Sequence, residues 1–218
     1  MNKKSLLILL SFFWLVSSAS SAKYNYKIPV RDFSLSTHHG WHVNIDKLLS
    51  PETEAEVLAV LKPILKEMKE ILPEHCIKLA KKKNLKFFIM YDRFNSRKGM
   101  SYIRNNQSNW DRGITKQMNI SIIIHNPKNF ASSLKEDARH NIIHEIAHFY
   151  HLENYGASYE PIWRCFLLNK RKYEGQYAAV NHMEYFAETS ALFFSRPYQL
   201  AKDDPFTTEL LRGLWKKK

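Results

Sequence analysis

The sequence predicts an α+β domain in which a small mixed sheet supports a helix carrying a His-Glu-x-x-His run. Two kinds of hydrophobic period in one chain predict it. Trp41-His-Val43-Asn-Ile45 alternates with period two, and Asn84 to Tyr91 and Met118 to Ile124 are apolar runs of strand length. Residues 50–73 and 133–152 instead repeat their apolar positions at helical spacing. At 218 residues and 44% hydrophobic content, the chain is long enough for one domain with a full core.

Residues 1–22 join Lys3 and Lys4 to an apolar run, Leu6 to Val16, and a small-residue end, Ser17 to Ala22. This is the pattern of a secretory signal peptide, and the run falls short of the roughly 18–20 apolar residues that a membrane span requires. The expectation is an exported chain, secreted or periplasmic, cut near Ala22 and without a membrane span afterwards. Residues 23–218 then form a single domain, expected as a monomer. Removing residues 1–22 takes away two lysines and no acid, so the formal charge of +12 becomes +10.

Residues 24–45 mix aromatic and polar residues around the short strand at Trp41. His38, His39 and His42 read as loop and strand residues, because no matched carboxylate accompanies them. Ser50-Pro51 caps and opens a helix with Val57, Leu58, Leu61, Ile64, Leu65, Met68 and Ile71 on its core side, ending near Pro73. Residues 92–117 are polar, interrupted by a short strand around Met100 to Ile103. Ser133-Leu-Lys-Glu136 reads as a capping box opening a helix to about Leu152. Its core face is Ile142, Ile143, Ile146, Phe149 and Tyr150, and its other stripe holds His140, His144, His148 and His151. Residues 160–169 form a short aromatic helix or turn, and 170–176 a charged loop. Asn181 caps a further helix from His182, almost wholly apolar, which Pro197 ends. Pro205 to Leu214 is a last amphipathic segment before a basic tail.

The chemistry lies in two of these helices. His144 and His148, four apart, project from one face and can hold one metal ion, with Glu145 placed to take a proton from water without becoming a ligand. His140 and His144 are also four apart, but only the 144/148 pair has Glu in the base position, so His140 and His151 are neighbours rather than ligands. Two histidines leave a tetrahedral zinc short of a third protein ligand. Glu184, in the first turn of the helix capped by Asn181, can supply it, and Glu188 shares its face one turn on. Two carboxylates on so apolar a helix require a cation or donors.

His144-Glu145-x-x-His148 followed by Glu184-x-x-x-Glu188 resembles the gluzincin metallopeptidases, whose third zinc ligand is a glutamate. The fuller string Tyr177, Asn181, Glu184, Phe186, Ala187, Glu188 is similar to the catalytic domain of anthrax lethal factor. The likeness spans roughly residues 130–196, and it implies nothing about substrates, since that toxin's targeting regions have no room here. It implies a zincin-like fold, a Zn2+ cofactor held by His144, His148 and Glu184, and Glu145 as the general base. Tyr177 would stabilise the oxyanion, and Glu188 would orient a ligand from behind. In such a cleft a sheet strand offers its open edge to an extended peptide. A metzincin pattern fails, because His151 and Asn154 occupy the places of its Gly and third His.

The expected function is therefore zinc-dependent hydrolysis of peptide bonds in a peptide or protein substrate. Two alternatives stand beside it: a catalytically silent zinc-binding domain used for adhesion or partner binding, and a basic protein binding nucleic acid or an anionic envelope polymer. The intact Glu145 argues against the first. Lys81-Lys82-Lys83 and Lys170-Arg171-Lys172 are separate and without a nucleic-acid signature, so no nucleic-acid partner is expected. Cys76 and Cys165, the only cysteines, could pair in an exported protein or remain two buried thiols.

Overall fold

A computed structural model of the chain describes residues 32–91, 99–104 and 116–216. The leader read over residues 1–22 and the end of the basic tail lie outside the described residues. The fold is α+β, with one small mixed sheet and helices packed against it. Strands β1 (Phe33–His38), β2 (Trp41–Asp46), β3 (Lys86–Ile89), β4 (Met100–Ile103) and β5 (Ser121–Ile124) stand in the order β1-β2-β3-β5-β4. β2, β3 and β5 run parallel, while the β1–β2 hairpin and the β4–β5 pair are antiparallel.

β3 and β5 are buried on both faces, which is why they read as continuous apolar runs rather than alternations. Phe87, Ile89, Ile122 and Ile124 face the main core, and Phe88 and Ile123 face a second cluster with Met90, Ile103 and Met118. β1 lies beyond the strand expected at Trp41, and its own residues carry no strand signal because it is an edge strand with little apolar content and Leu35 exposed. The turn after it is His39-Gly40, both in the left-handed region at φ 52° and 80°, as a two-residue hairpin turn requires.

Helix α1 (Pro51–Ile71) opens as expected, with the Ser50 hydroxyl accepting from the Thr53 amide and Pro51 in the first turn. Val57, Leu61, Ile64, Leu65 and Met68 bury one face of it completely. The Trp41 indole donates to the Leu65 carbonyl at 3.1 Å, anchoring the hairpin to this helix. A short helix α2 (Glu74–Lys82) follows Pro73, and α3 (Pro127–Ser132) precedes the motif helix α4 (Lys135–Tyr150). The capping box is not formed. Ser133 instead donates its hydroxyl to the Phe130 carbonyl at 2.7 Å, closing α3, and Leu134 stands at the start of α4 without a side-chain cap.

After Tyr150 the backbone widens into one π-turn, His151–Tyr155, closed by the Gly156 amide on the His151 carbonyl at 3.0 Å. Gly156 ends it at φ 82°, where a side chain would be strained. Among the described residues four α-helices follow: α5 (Glu160–Asn169), α6 (His182–Ser195), α7 (Pro197–Asp203) and α8 (Pro205–Trp215). α6 lies along α4, and small residues, Ala147 on α4 and Ala187 and Ala191 on α6, are wholly buried in the core there. Trp215 of α8 stacks on Tyr150 at 4.3 Å and on Phe186 at 5.9 Å, locking both motif helices from below. Cys76 and Cys165 are free thiols buried in separate clusters, so no bridge joins them. Among the described residues no helix is long and apolar enough to cross a membrane.

Candidate functional site

The site forms where α4 and α6 face each other, one turn of each supplying a pair of residues. On α4, His144 and His148 project from the same side, and their Nε2 atoms stand 3.0 Å apart. On α6, the Asn181 side chain accepts from the Met183 and Glu184 amides at 2.9 Å, which fixes the first turn and sets Glu184 opposite the histidines. Glu184 Oε2 lies 3.2 Å from His144 Nε2 and 3.0 Å from His148 Nε2. Two ring nitrogens and one carboxylate oxygen, from residues 40 and 36 positions apart, thus converge on one point.

Glu188, a turn further along α6, stands behind them. Its Oε2 is 3.2 Å from His144 Nδ1, and its Oε1 is 3.0 Å from His140 Nε2. His140 is therefore a neighbour of the cluster and not part of it. His151 leaves the stripe altogether. The π-turn carries its ring inward to 5.1 Å from Phe186, where it is fully buried and, among the described residues, neither nitrogen has a hydrogen-bond partner.

Glu145 is 8% exposed and accepts the Tyr102 amide on Oε2 at 2.6 Å. Tyr102 belongs to β4, the edge strand. Gly99 accepts the His125 amide, so alternate residues of β4 pair with β5 while Met100 and Tyr102 turn their backbone groups to the open side. No side-chain pattern signals this contact, because it is made by a backbone group. Tyr177, in a short 3₁₀ turn before α6, is 58% exposed with its ring 5.8 Å from that of His144. A cleft of about 500 Å³ runs between β4 and the two helices, lined by His144, Glu145, His148, Tyr177 and Glu184, with Met100 and Met183 as apolar walls.

The electrostatics follow from burial against pairing. Burial works to raise the pKa of Glu184, but hydrogen bonds from His144 and His148 outweigh it and hold the carboxylate down to about 2. Glu188 is likewise held to about 2, burial being overcome by His140 and His144. For His144 burial favours the neutral ring, yet bonds to Glu184 and Glu188 raise its pKa to about 9. Burial raises the pKa of Glu145 against the opposing pull of His148, His144 and the Tyr102 amide. Burial, then the charges of Glu184 and Glu145, raise the pKa of the Tyr177 hydroxyl.

The cluster demands a positive charge. Without a metal ion a proton on His144 meets that demand, and a metal ion would meet it with all three donors. Donors about 2.0–2.1 Å from a tetrahedral ion stand roughly 3.3 Å apart. The separations of 3.0–3.2 Å here, from two imidazole nitrogens and one carboxylate oxygen, fit a zinc ion in size and in ligand type. No protein-family model matches the chain, and no curated protein matches it.

Proposed function

We propose that the chain is an exported zinc metallopeptidase of zincin-like fold, its site similar to that of the gluzincins. The observation that carries this reading is the convergence of His144, His148 and Glu184 with Glu145 beside them, all opening onto one cleft under an edge strand. His144, His148 and Glu184 would hold the zinc ion. When bound, zinc supplies a Lewis acid that acidifies water and polarises a carbonyl oxygen.

The chain's own residues account for the rest. Glu145, its pKa raised by burial, accepts the proton of the attacking water and returns it to the leaving amine. Tyr102 holds one oxygen of that carboxylate, which leaves Oε1 for the proton. Tyr177 donates its hydroxyl to the carbonyl oxygen as negative charge develops there. Glu188 accepts the Nδ1–H of His144 and keeps that ring's Nε2 turned to the cluster. An extended peptide would lie along the open side of β4, where Met100 and the Tyr102 carbonyl offer backbone groups.

The test is metal analysis of the purified protein, followed by digestion of a diverse peptide library with and without chelator. Cleavage that chelator abolishes and zinc restores supports the reading. A zinc-loaded protein that cleaves nothing would instead be the silent binding domain. Export is tested by the first residue of protein recovered outside the cytoplasm, expected at or near Lys23.

A further inference from the structure

His140 lies outside the three donors, yet it is the second partner of the carboxylate that backs them. Its Nε2 is 3.0 Å from Glu188 Oε1, while the other oxygen of Glu188 is 3.2 Å from His144 Nδ1. The two histidines are one turn apart on α4, and Glu184 and Glu188 are one turn apart on α6, so the two rows meet in register. A carboxylate held by one hydrogen bond still turns about its last torsion, because that sp² rotor is broad. A second donor on the opposite oxygen fixes its plane. The His140 and Glu188 side chains are only 24% and 25% exposed, which limits competition from water for this bond.

We propose that His140 is a positioning residue of the metal centre: by donating to Glu188 Oε1 it sets the plane of that carboxylate, holding Oε2 on His144 Nδ1–H and aiming His144 Nε2 at His148 and Glu184. The chain is thus His140, Glu188, His144, then the donor cluster. The proposal rests on the metallopeptidase reading for its consequence, which is tighter zinc binding, but the geometry it describes exists in the metal-free protein as well. His140 touches neither substrate nor reacting atoms, and it acts only through Glu188.

The experiment uses the full chain with His140→Ala and His140→Gln, stripped of metal and titrated with zinc against a chromophoric chelator. Outer hydrogen-bond partners of metal-binding histidines contribute 10- to 100-fold in affinity, and His140, one bond further out, is expected at about 10-fold. His140→Ala should therefore lose about tenfold in zinc affinity. His140→Gln, whose amide can donate to the same oxygen, should recover most of it. A merely structural role would lower the thermal midpoint of the metal-free protein and would not be rescued selectively by an amide. A second readout is the exchange rate of the His144 Nδ1 proton in the metal-free protein, expected to rise about fivefold or more in His140→Ala as its acceptor loosens. Unchanged zinc affinity in His140→Ala overturns the proposal. If the parent binds zinc no better than His144→Ala, the metal reading has failed, and the proton-exchange measurement decides the geometry alone: an unaltered rate overturns it, and a raised rate supports it.

Discussion

The amide of Tyr102 donates to Glu145 Oε2 at 2.6 Å, across 43 residues of sequence, and so joins the edge strand to the motif helix at the residue proposed as general base. The same residue touches α4 one turn on, its ring 5.9 Å from Phe149, and its hydroxyl reaches Glu153 in the π-turn at 3.4 Å. Glu153 is in turn held by Lys83 and Arg104 at 2.8 Å each, its side chain 2% exposed. Strand and helix are thereby pinned at three successive turns, and the floor of the cleft is fixed.

Tyr102→Pro isolates the amide. Its N–H points to the open side of β4, so proline there removes no bond of the β4–β5 ladder. Tyr102→Ala is the control, since it loses the ring and hydroxyl but keeps the amide. A hydrogen bond to a charged group contributes roughly 1.5–3 kcal/mol, so kcat for peptide hydrolysis should fall about 10- to 100-fold further in the proline variant than in the alanine one. Equal rates in the two variants would remove the amide from the mechanism.

Glu145→Gln separates base from ligand. The amide oxygen of glutamine can still accept from Tyr102, so folding and zinc content should survive. Hydrolysis should drop by at least the ~10²-fold typical of losing a general base. Substantial turnover in this variant, measured on a good library peptide, would take the role from Glu145.

The part of the site legible in the sequence was the part that helical spacing converts directly into geometry. Residues four apart share a face, so His144 with His148, and Glu184 with Glu188, could be paired on paper, and Asn181 marked where the second helix begins. The same rule, applied to both pairs together, could have found His140 opposite Glu188. It misled at His151, because the turn after Tyr150 widens from α to π and rotates that residue into the core. Ser133 failed as a cap because a helix opened by Pro127 ends on it. Tyr102 was not legible at all: a backbone donor on a strand leaves no mark on side-chain pattern.

His144→Ala and Glu184→Ala should each lose the metal ion, as read by metal analysis after dialysis, because either change leaves two protein donors. In the parent protein, free zinc at a hundred times its dissociation constant should raise unfolding free energy by about 2.7 kcal/mol, and in these variants by much less. Full zinc occupancy in both variants would end the assignment. Retention in Glu184→Ala alone would move the third ligand to Glu188.

Tyr177→Phe tests the oxyanion donor. The residue is 58% exposed, so deleting its hydroxyl should leave the thermal midpoint and zinc content unchanged. The bond proposed for it would form as charge develops on the substrate, so the loss should appear in kcat and not in KM. About 10² in kcat is expected, the lower end for removing one oxyanion donor. A variant that cleaves at the parent rate would pass the role to another donor.

His151 gives the fold a predictable weakness in acid. It is fully buried, its ring lies among Phe186 and His182, and neither nitrogen has a hydrogen-bond partner among the described residues. Burial, with the nearby charges of His182 and His148, lowers its pKa to about 4, whereas an unfolded chain has an ordinary histidine near 6.5. Between those values the unfolded state binds the proton and the native state does not, so unfolding free energy rises with pH across the window and falls as pH drops through it. At about 1.4 kcal/mol per pKa unit, the destabilisation accumulated by pH 4 is roughly 3 kcal/mol. His151→Phe keeps a flat ring against Phe186 and removes both the titration and the unpaired nitrogens. Chemical denaturation at neutral pH should then show a gain of about 1 kcal/mol or more, since an unsatisfied buried polar group costs roughly 1–3 kcal/mol. Repeated from pH 6.5 down to 4, the variant should lose less stability than the parent by the same ~3 kcal/mol. Parallel pH curves for the two proteins would mean that His151 is protonated in the native state, with a carboxylate or a solvent path reaching it.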